Sequence, residues 1–212
     1  MQTEIGMWTE GGWFYGTFID PLLSGIRRAM REMIDPPGAV IDIGCATGAF
    51  ASSLAELSPR VVGVELLPRL VEYANRHHGG RCDGVSFILA DASSLPQFND
   101  GEFEYATLSM ALHQMEPAIR RAVLAEAMRI SRAVILADYA VPLPSGPSGW
   151  SARTVELLAG TPHFRGFCSF MREGGLDGLM AEARLSPRRE CFAGAGVFRI
   201  VRCAEHRPSF QA

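Results

Sequence analysis

Apolar runs alternate with amphipathic stretches along most of this 212-residue chain. Runs at 39–43, 61–65, 85–90, 103–109 and 132–138 are short and nearly all apolar, the pattern of strands buried on both faces. Between and after them, 48–57, 68–77 and 117–129 carry apolar residues at helical spacing. Strands alternating with helices predict a parallel sheet wound by right-handed crossovers. Upstream, Pro21–Ile34 reads as a helix with Asp20 as N-cap and Pro21 in its first turn. A breaker-rich segment from Pro142 to Gly149 reads as a loop over a pocket, followed by helices near 149–160 and 168–183. Leu185–Phe192 and Val197–Cys203 read as a closing strand pair joined through Gly194-Ala195-Gly196. The length suits one domain spanning 1–212, and no internal repeat is visible.

The junction of the first strand and the next helix carries the candidate chemistry. Ala39-Val40-Ile41-Asp42-Ile43 runs directly into Gly44-Cys45-Ala46-Thr47-Gly48. Gly44 and Gly48 permit positive φ and leave no Cβ in the way of a ligand. The carboxyl end of a parallel strand is where open α/β sheets bind nucleotides. Two more apolar runs end in acids. Val61-Val62-Gly63-Val64 ends in Glu65, 21 residues after Gly44, and Val85–Ala90 ends in Asp91. A carboxylate at the first of these positions can accept both hydroxyls of a ribose. Each acid also has a plainer reading as a helix N-cap or a solvated loop residue.

Asp42, Gly44, Ala46 and Gly48 resemble the first motif of the class I S-adenosylmethionine (SAM)-dependent methyltransferases, Asp-x-Gly-x-Gly-x-Gly, with Ala46 in place of the middle glycine. Leu95-Pro96 and Asp100-Gly101-Glu102-Phe103-Glu104 are similar to the same family's lead into its fourth strand. The resemblance covers residues 35–140 well and the remainder in outline. It implies a Rossmann-like, seven-stranded sheet of order 3-2-1-4-5-7-6, with the last strand antiparallel and helices on both faces. It also implies SAM as cofactor, with S-adenosylhomocysteine as product, held by Asp42, Gly44, Cys45, Ala46, Gly48, Glu65, Leu66, Asp91, Ala92, Ser109 and Met110. In this family the acid at Asp91 faces the adenine amino group. An acid at Asp42 also suits a site that must hold a cationic amino group. The dinucleotide pattern Gly-x-Gly-x-x-Gly fits less well, since it needs glycines where Ala46 and Ala49 stand.

The methyl acceptor belongs beyond strands four and five. His113, in Ser109-Met110-Ala111-Leu112-His113, is the one group there suited to proton shuttling near neutrality. Its other reading is a structural histidine bonded to backbone. Asp138 either orients an acceptor or caps the following loop. Tyr139, His163 and Arg165 are candidate acceptor contacts, as is Tyr15 in an aromatic N-terminal segment expected, with the following helix to residue 34, to cover the pocket. Packing in the core (Tyr139) or a helix start (His163, Arg165) are the alternatives. Arg120-Arg121 and Arg188-Arg189 read as solvated charges. No metal site is expected.

Composition narrows the field. The chain has no Lys; its 20 basic residues are all Arg, which excludes Walker and Schiff-base lysine chemistry. A net charge of −3 argues against nucleic acid as partner. Five cysteines without a Cys-x-x-Cys pair suit a reducing cytoplasm better than a disulfide framework or structural zinc. No charged leader with an apolar core opens the sequence, and no apolar run nears the ~20 residues that span a bilayer. The expected activity is methyl transfer to a small-molecule or lipid-like acceptor. RNA or protein methylation, an NAD(P)-linked oxidoreductase and a non-catalytic SAM-fold module stand as alternatives. The acceptor atom and the oligomeric state are not legible.

Overall fold

The structure, a computed structural model, describes residues 23–35, 38–80, 84–158 and 160–205. Seven strands form one sheet: β1 (Val40–Ile43), β2 (Val61–Glu65), β3 (Val85–Leu89), β4 (Phe103–Ser109), β5 (Ser131–Tyr139), β6 (Leu185–Ala193) and β7 (Phe198–Glu205). Their order is β3-β2-β1-β4-β5-β7-β6, with β1 to β5 parallel and β7 antiparallel to both β5 and β6. The predicted fold class and strand order are therefore those observed. Every residue of β1 and β2 is buried. Successive strand side chains point to opposite faces, so layers cover the sheet on both sides, as continuous apolar runs require.

The helices are α1 (Ser24–Arg31), α2 (Ala49–Ser53), α3 (Pro68–His78), α4 (Pro117–Ile130), α5 (Pro147–Leu158), α6 (Thr161–Arg172) and α7 (Gly175–Glu182). Short 3₁₀ turns follow α2 (Leu54–Glu56) and β4 (Leu112–Gln114). Proline opens α3 and α4 at the first turn, where its missing N–H costs nothing. The Asp20–Pro21 helix start and the aromatic segment lie outside the described residues. No described helix is long and apolar enough to cross a membrane.

Two expectations need correction. The stretch 168–183 is not one helix. Gly174 takes φ +86 and Gly175 φ +61, left-handed values that end α6 and start α7 afresh. A side chain at Gly175 would collide with Val141, so the break is also a point of close packing. Arg120 is not a solvated charge. It is fully buried, donating from Nε to Leu112 O (2.9 Å) and from Nη2 to Met115 O (2.8 Å) and Gly166 O (3.2 Å). Its Nη1 reaches Glu173 Oε2 at 3.1 Å, and the guanidinium lies over Phe170. One side chain thus ties the turn after β4 to α6. Arg121, its neighbour, stays half-exposed and pairs with Glu182.

Arg120→Leu would remove three donors to backbone carbonyls and leave Glu173 without this partner. The expected loss is about 3 kcal/mol or more, read from urea unfolding. Arg120→Lys should recover little of it, because an ammonium cannot reproduce the planar fork. A loss below about 0.5 kcal/mol for Leu would contradict the clamp.

Candidate active site

Strand order reverses at β1, which lies between β2 and β4, and the crevice there is built from the turn after β1. Gly44 (φ +72), Ala46 (φ +49) and Gly48 (φ +78) all take left-handed values. Gly44 N and Cys45 N both donate to Val64 O, at 2.8 and 3.0 Å, folding the turn back toward β2. A Cβ at Gly48 would stand 2.5 Å from the Phe87 ring, so this glycine is set by packing of α2 against β3. Ala46 bears a Cβ in a conformation that costs about 1–2 kcal/mol. Its N–H is held by Glu65 Oε2 at 3.0 Å.

Glu65 is more heavily engaged than its sequence position suggests. Besides Ala46 N, it accepts Leu66 N (2.8 Å) and Leu67 N (3.0 Å) on Oε1. A carboxylate has about four acceptor sites, so three backbone bonds leave room for one further donor, not two. Leu66 beside it is 62% exposed, an apolar side chain left open to solvent. Asp91 is exposed and accepts the N–H (2.9 Å) and hydroxyl (2.7 Å) of Ser93 on Oδ1. Those bonds hold its carboxyl below the usual range, and Ala92 follows it, half-buried.

Asp42 lies beneath the turn, fully buried, and accepts the Thr107 hydroxyl at 2.8 Å. Burial pushes its pKa up to about 7, against the opposing pulls of Thr107 and Arg27; the charge of Glu65 adds to the rise. Burial likewise raises the thiol of Cys45, which leaves it a packing residue of the turn. From β4, Ser109 brings a buried hydroxyl with no hydrogen-bond partner among the described residues. Met110 follows at φ +54, with its N–H on Ala137 O. Ala111 then packs against Gly44: a Cβ there would stand 3.3 Å from that of Ala111.

A second cluster begins two residues further on. His113 is buried, with Nδ1 2.8 Å from Asp138 Oδ1. Asp138 also accepts the backbone N–H groups of His113 (3.2 Å) and Tyr139 (2.8 Å). The Tyr139 hydroxyl donates to Glu156 Oε1 at 2.6 Å, and His163 Nε2 stands 3.1 Å from Glu156 Oε2. Burial opposes a charge on His113, but Asp138 and Glu156 outweigh it and raise the pKa. Burial also opposes ionisation of Glu156, and here His163, His113 and Tyr139 win and lower the pKa. Burial and the Glu156 charge push the Tyr139 phenol upward.

The structure therefore brings His113, Asp138, Tyr139 and His163 together. It leaves Arg165 exposed on α6, and Tyr15 lies outside the described residues. Sequence reasoning missed Glu156, Thr107 and Arg120. An acid among Val155, Leu157 and Leu158 was the available sign of Glu156. A cleft of about 1020 Å³ opens elsewhere, past the amino ends of β4 and β5, beside Gly101, Arg129 and Ser131. It touches none of these groups.

Comparison with known proteins places this geometry. Residues 40–133 match the family described as a methyltransferase domain. The chain is similar to a demethylmenaquinone methyltransferase of Beutenbergia cavernae, at 30% identity over 146 residues, 65% of this chain and 58% of that protein. It is also similar to a ubiquinone biosynthesis O-methyltransferase of Xanthomonas axonopodis, at 26% identity over 182 residues and 74% of each chain. The chain thus spans little more than half the length of the first relative. The magnesium protoporphyrin IX methyltransferase of Synechocystis, solved with S-adenosylhomocysteine, superposes with a TM-score of 0.62. That match covers 89% of this chain and 88% of that one at 16% identity, a likeness of fold. Residues 40–133 are thus similar to a methyltransferase domain, and the sheet has the fold of the class I SAM-dependent methyltransferases. SAM is the cofactor of that class.

Asp42→Asn supplies a test of the buried acid. A folded-state pKa near 7, above the ordinary 3.8, means the native protein binds a proton that the unfolded chain has released. Stability is thus lost as pH rises from about 4 to 7. The neutral variant should gain roughly 1–3 kcal/mol over wild type at pH 8 and little at pH 4. Parallel thermal melts check this, and equal differences at both pH values would contradict it.

Proposed function

We propose that the chain is a SAM-dependent methyltransferase acting on a small-molecule, lipid-like acceptor, with a quinone-type hydroxyl as the first acceptor to try. The observation that carries the reading is the strained turn after β1. Three left-handed residues and a backbone N–H fixed by the β2 acid form a cradle, and the buried Ser109 hydroxyl beside it awaits a partner. These features fit SAM. Gly44, Cys45, Ala46 and Gly48 would surround its amino-acid part, with Asp42 below as the counter-charge. Glu65 would take a ribose hydroxyl through its remaining acceptor site. Leu66 would face the adenine ring, and Asp91 and Ala92 its edge. Ser109 and Met110 would floor the methionine side. When bound, SAM supplies a methyl group on a cationic sulfur, a strong electrophile.

The protein's task is alignment more than acid–base work. His113 is turned toward Asp138 and Glu156, so its role in this reading is to position the turn that carries Met110 and Ala111. His163, partly exposed, borders the acceptor side. Both relatives support a quinone-like acceptor, the O-methyltransferase supports a hydroxyl on it, and the net charge of −3 supports a small molecule over nucleic acid.

Calorimetry with SAM tests the cofactor half. Glu65→Ala should weaken SAM by about ten- to a hundredfold and also lower the melting temperature, because the same carboxylate holds Ala46. Gly44→Val should abolish binding while circular dichroism stays native, since a branched side chain at φ +72 meets Ala111. Native affinity in either folded variant removes the turn from the site. Labelled-methyl transfer to a panel of quinols and phenols tests the acceptor half. SAM binding without transfer to any of them would favour a non-catalytic module.

A further inference from the structure

His113, Glu156 and His163 arrive from three elements: the 3₁₀ turn after β4, α5 and α6. Each offers a ligand atom, and these atoms lie within 4.8 Å of one another. Glu156 Oε1 is 3.5 Å from His113 Nε2, and Glu156 Oε2 is 3.1 Å from His163 Nε2. Atoms sharing one tetrahedral ion at bond lengths of 2.0–2.2 Å stand roughly 3.3–3.6 Å apart. The separations already approach that spacing.

Two further observations point to a ligand. Glu156 is 4% exposed, yet its Oε2 has no aligned hydrogen-bond donor among the described residues, despite the nearby ring. The two groups stand in ion-pair contact at 3.1 Å, but out of line for a good hydrogen bond, so both face a common point. His113 is also oriented as metal-bound histidines are. Its far nitrogen meets the buried carboxylate of Asp138 at 2.8 Å, an outer contact that turns Nε2 toward Glu156. Tyr139 fixes the Glu156 carboxylate in turn. The third ligand, His163, is 23% exposed, which gives an ion a way in and leaves a coordination position open.

We propose that His113, Glu156 and His163 bind one divalent first-row transition ion of the zinc type. Two imidazoles and one carboxylate suit Zn²⁺ or Co²⁺ over Mg²⁺ or Ca²⁺, which prefer all-oxygen shells. Three protein ligands leave one position for water or an acceptor oxygen. The ion pins α5 and α6 to the end of β4, next to the Gly44 turn. This goes beyond the methyl-transfer reading and does not rest on it.

The whole chain is stripped with chelator, and Co²⁺ is titrated while visible absorption is followed. Zn²⁺ then displaces it. One equivalent with the bands of a four-coordinate site is expected. His163→Ala, a change at a partly exposed position, should weaken uptake by more than about a hundredfold and abolish the metal-dependent rise in melting temperature. Glu156→Gln should do the same. A His77→Ala/His78→Ala double variant, altering the adjacent pair on α3, should bind as wild type. SAM titration of the same samples reports the cofactor site separately. A folded, stripped wild type that takes up no stoichiometric Co²⁺ overturns the proposal. So does uptake unchanged in His163→Ala or lost in the α3 double variant.

Discussion

The Glu65 carboxylate is the bond on which the cofactor side of the sheet depends. A parallel strand ends with its next backbone N–H groups unpaired, and so does a helix start. Glu65 meets both needs with one side chain, accepting Leu66 N and Leu67 N ahead of α3 and Ala46 N from the turn after β1. The turn is costly, with an alanine at φ +49. Without the charge-assisted bond from β2, Ala46 has little reason to stay there.

The end of β5 repeats the device with different residues. Asp138 ends β5 and accepts two backbone N–H groups and the His113 ring. Five ionisable groups gather there, His113, Asp138, Tyr139, Glu156 and His163, and burial opposes charge on them. For two of them neighbours outweigh burial: Asp138 and Glu156 raise the His113 pKa, and His163, His113 and Tyr139 lower that of Glu156. The two halves communicate mechanically. Ala111 touches Gly44, and the turn carrying Ala111 continues directly into His113. A shift of the second cluster therefore moves the wall of the first site.

Most of the fold was legible because its information is local. Buried strands declare themselves by continuous apolar runs, and the turn after β1 by glycine spacing. Strand-end acids at 42, 65 and 91 stand next to the elements they serve. The missed parts are defined by partners distant in sequence. Glu156 meets His113 across 43 positions, and Arg120 meets Glu173 across 53. Helical spacing of apolar residues fixes which face is buried but gives no warning that an arginine will join it. Pattern alone also joined α6 and α7, since apolar periodicity runs past Gly174-Gly175. Glu65 was placed correctly on the strand end, but its three backbone bonds depend on how the turn folds back, which no spacing encodes.

The absence of lysine has a structural counterpart at these positions. An ammonium is a compact charge, whereas a guanidinium presents donors in a fixed plane and can bridge several carbonyls at once. Arg120 binds three carbonyls and a carboxylate around the turn bearing His113. Arg129 does the same after Asp91, donating to Phe98 O (3.0 Å), Leu95 O (3.1 Å), Asp100 and Glu126. The two segments lie at opposite ends of the sheet, one beside the turn after β4 and one leading into β4. Each is held by one arginine from α4, a helix packed on β4 and β5. One rigid helix thus holds a connecting segment at each of its ends, only the first of them beside His113, and multidentate donors are what allow it to hold both.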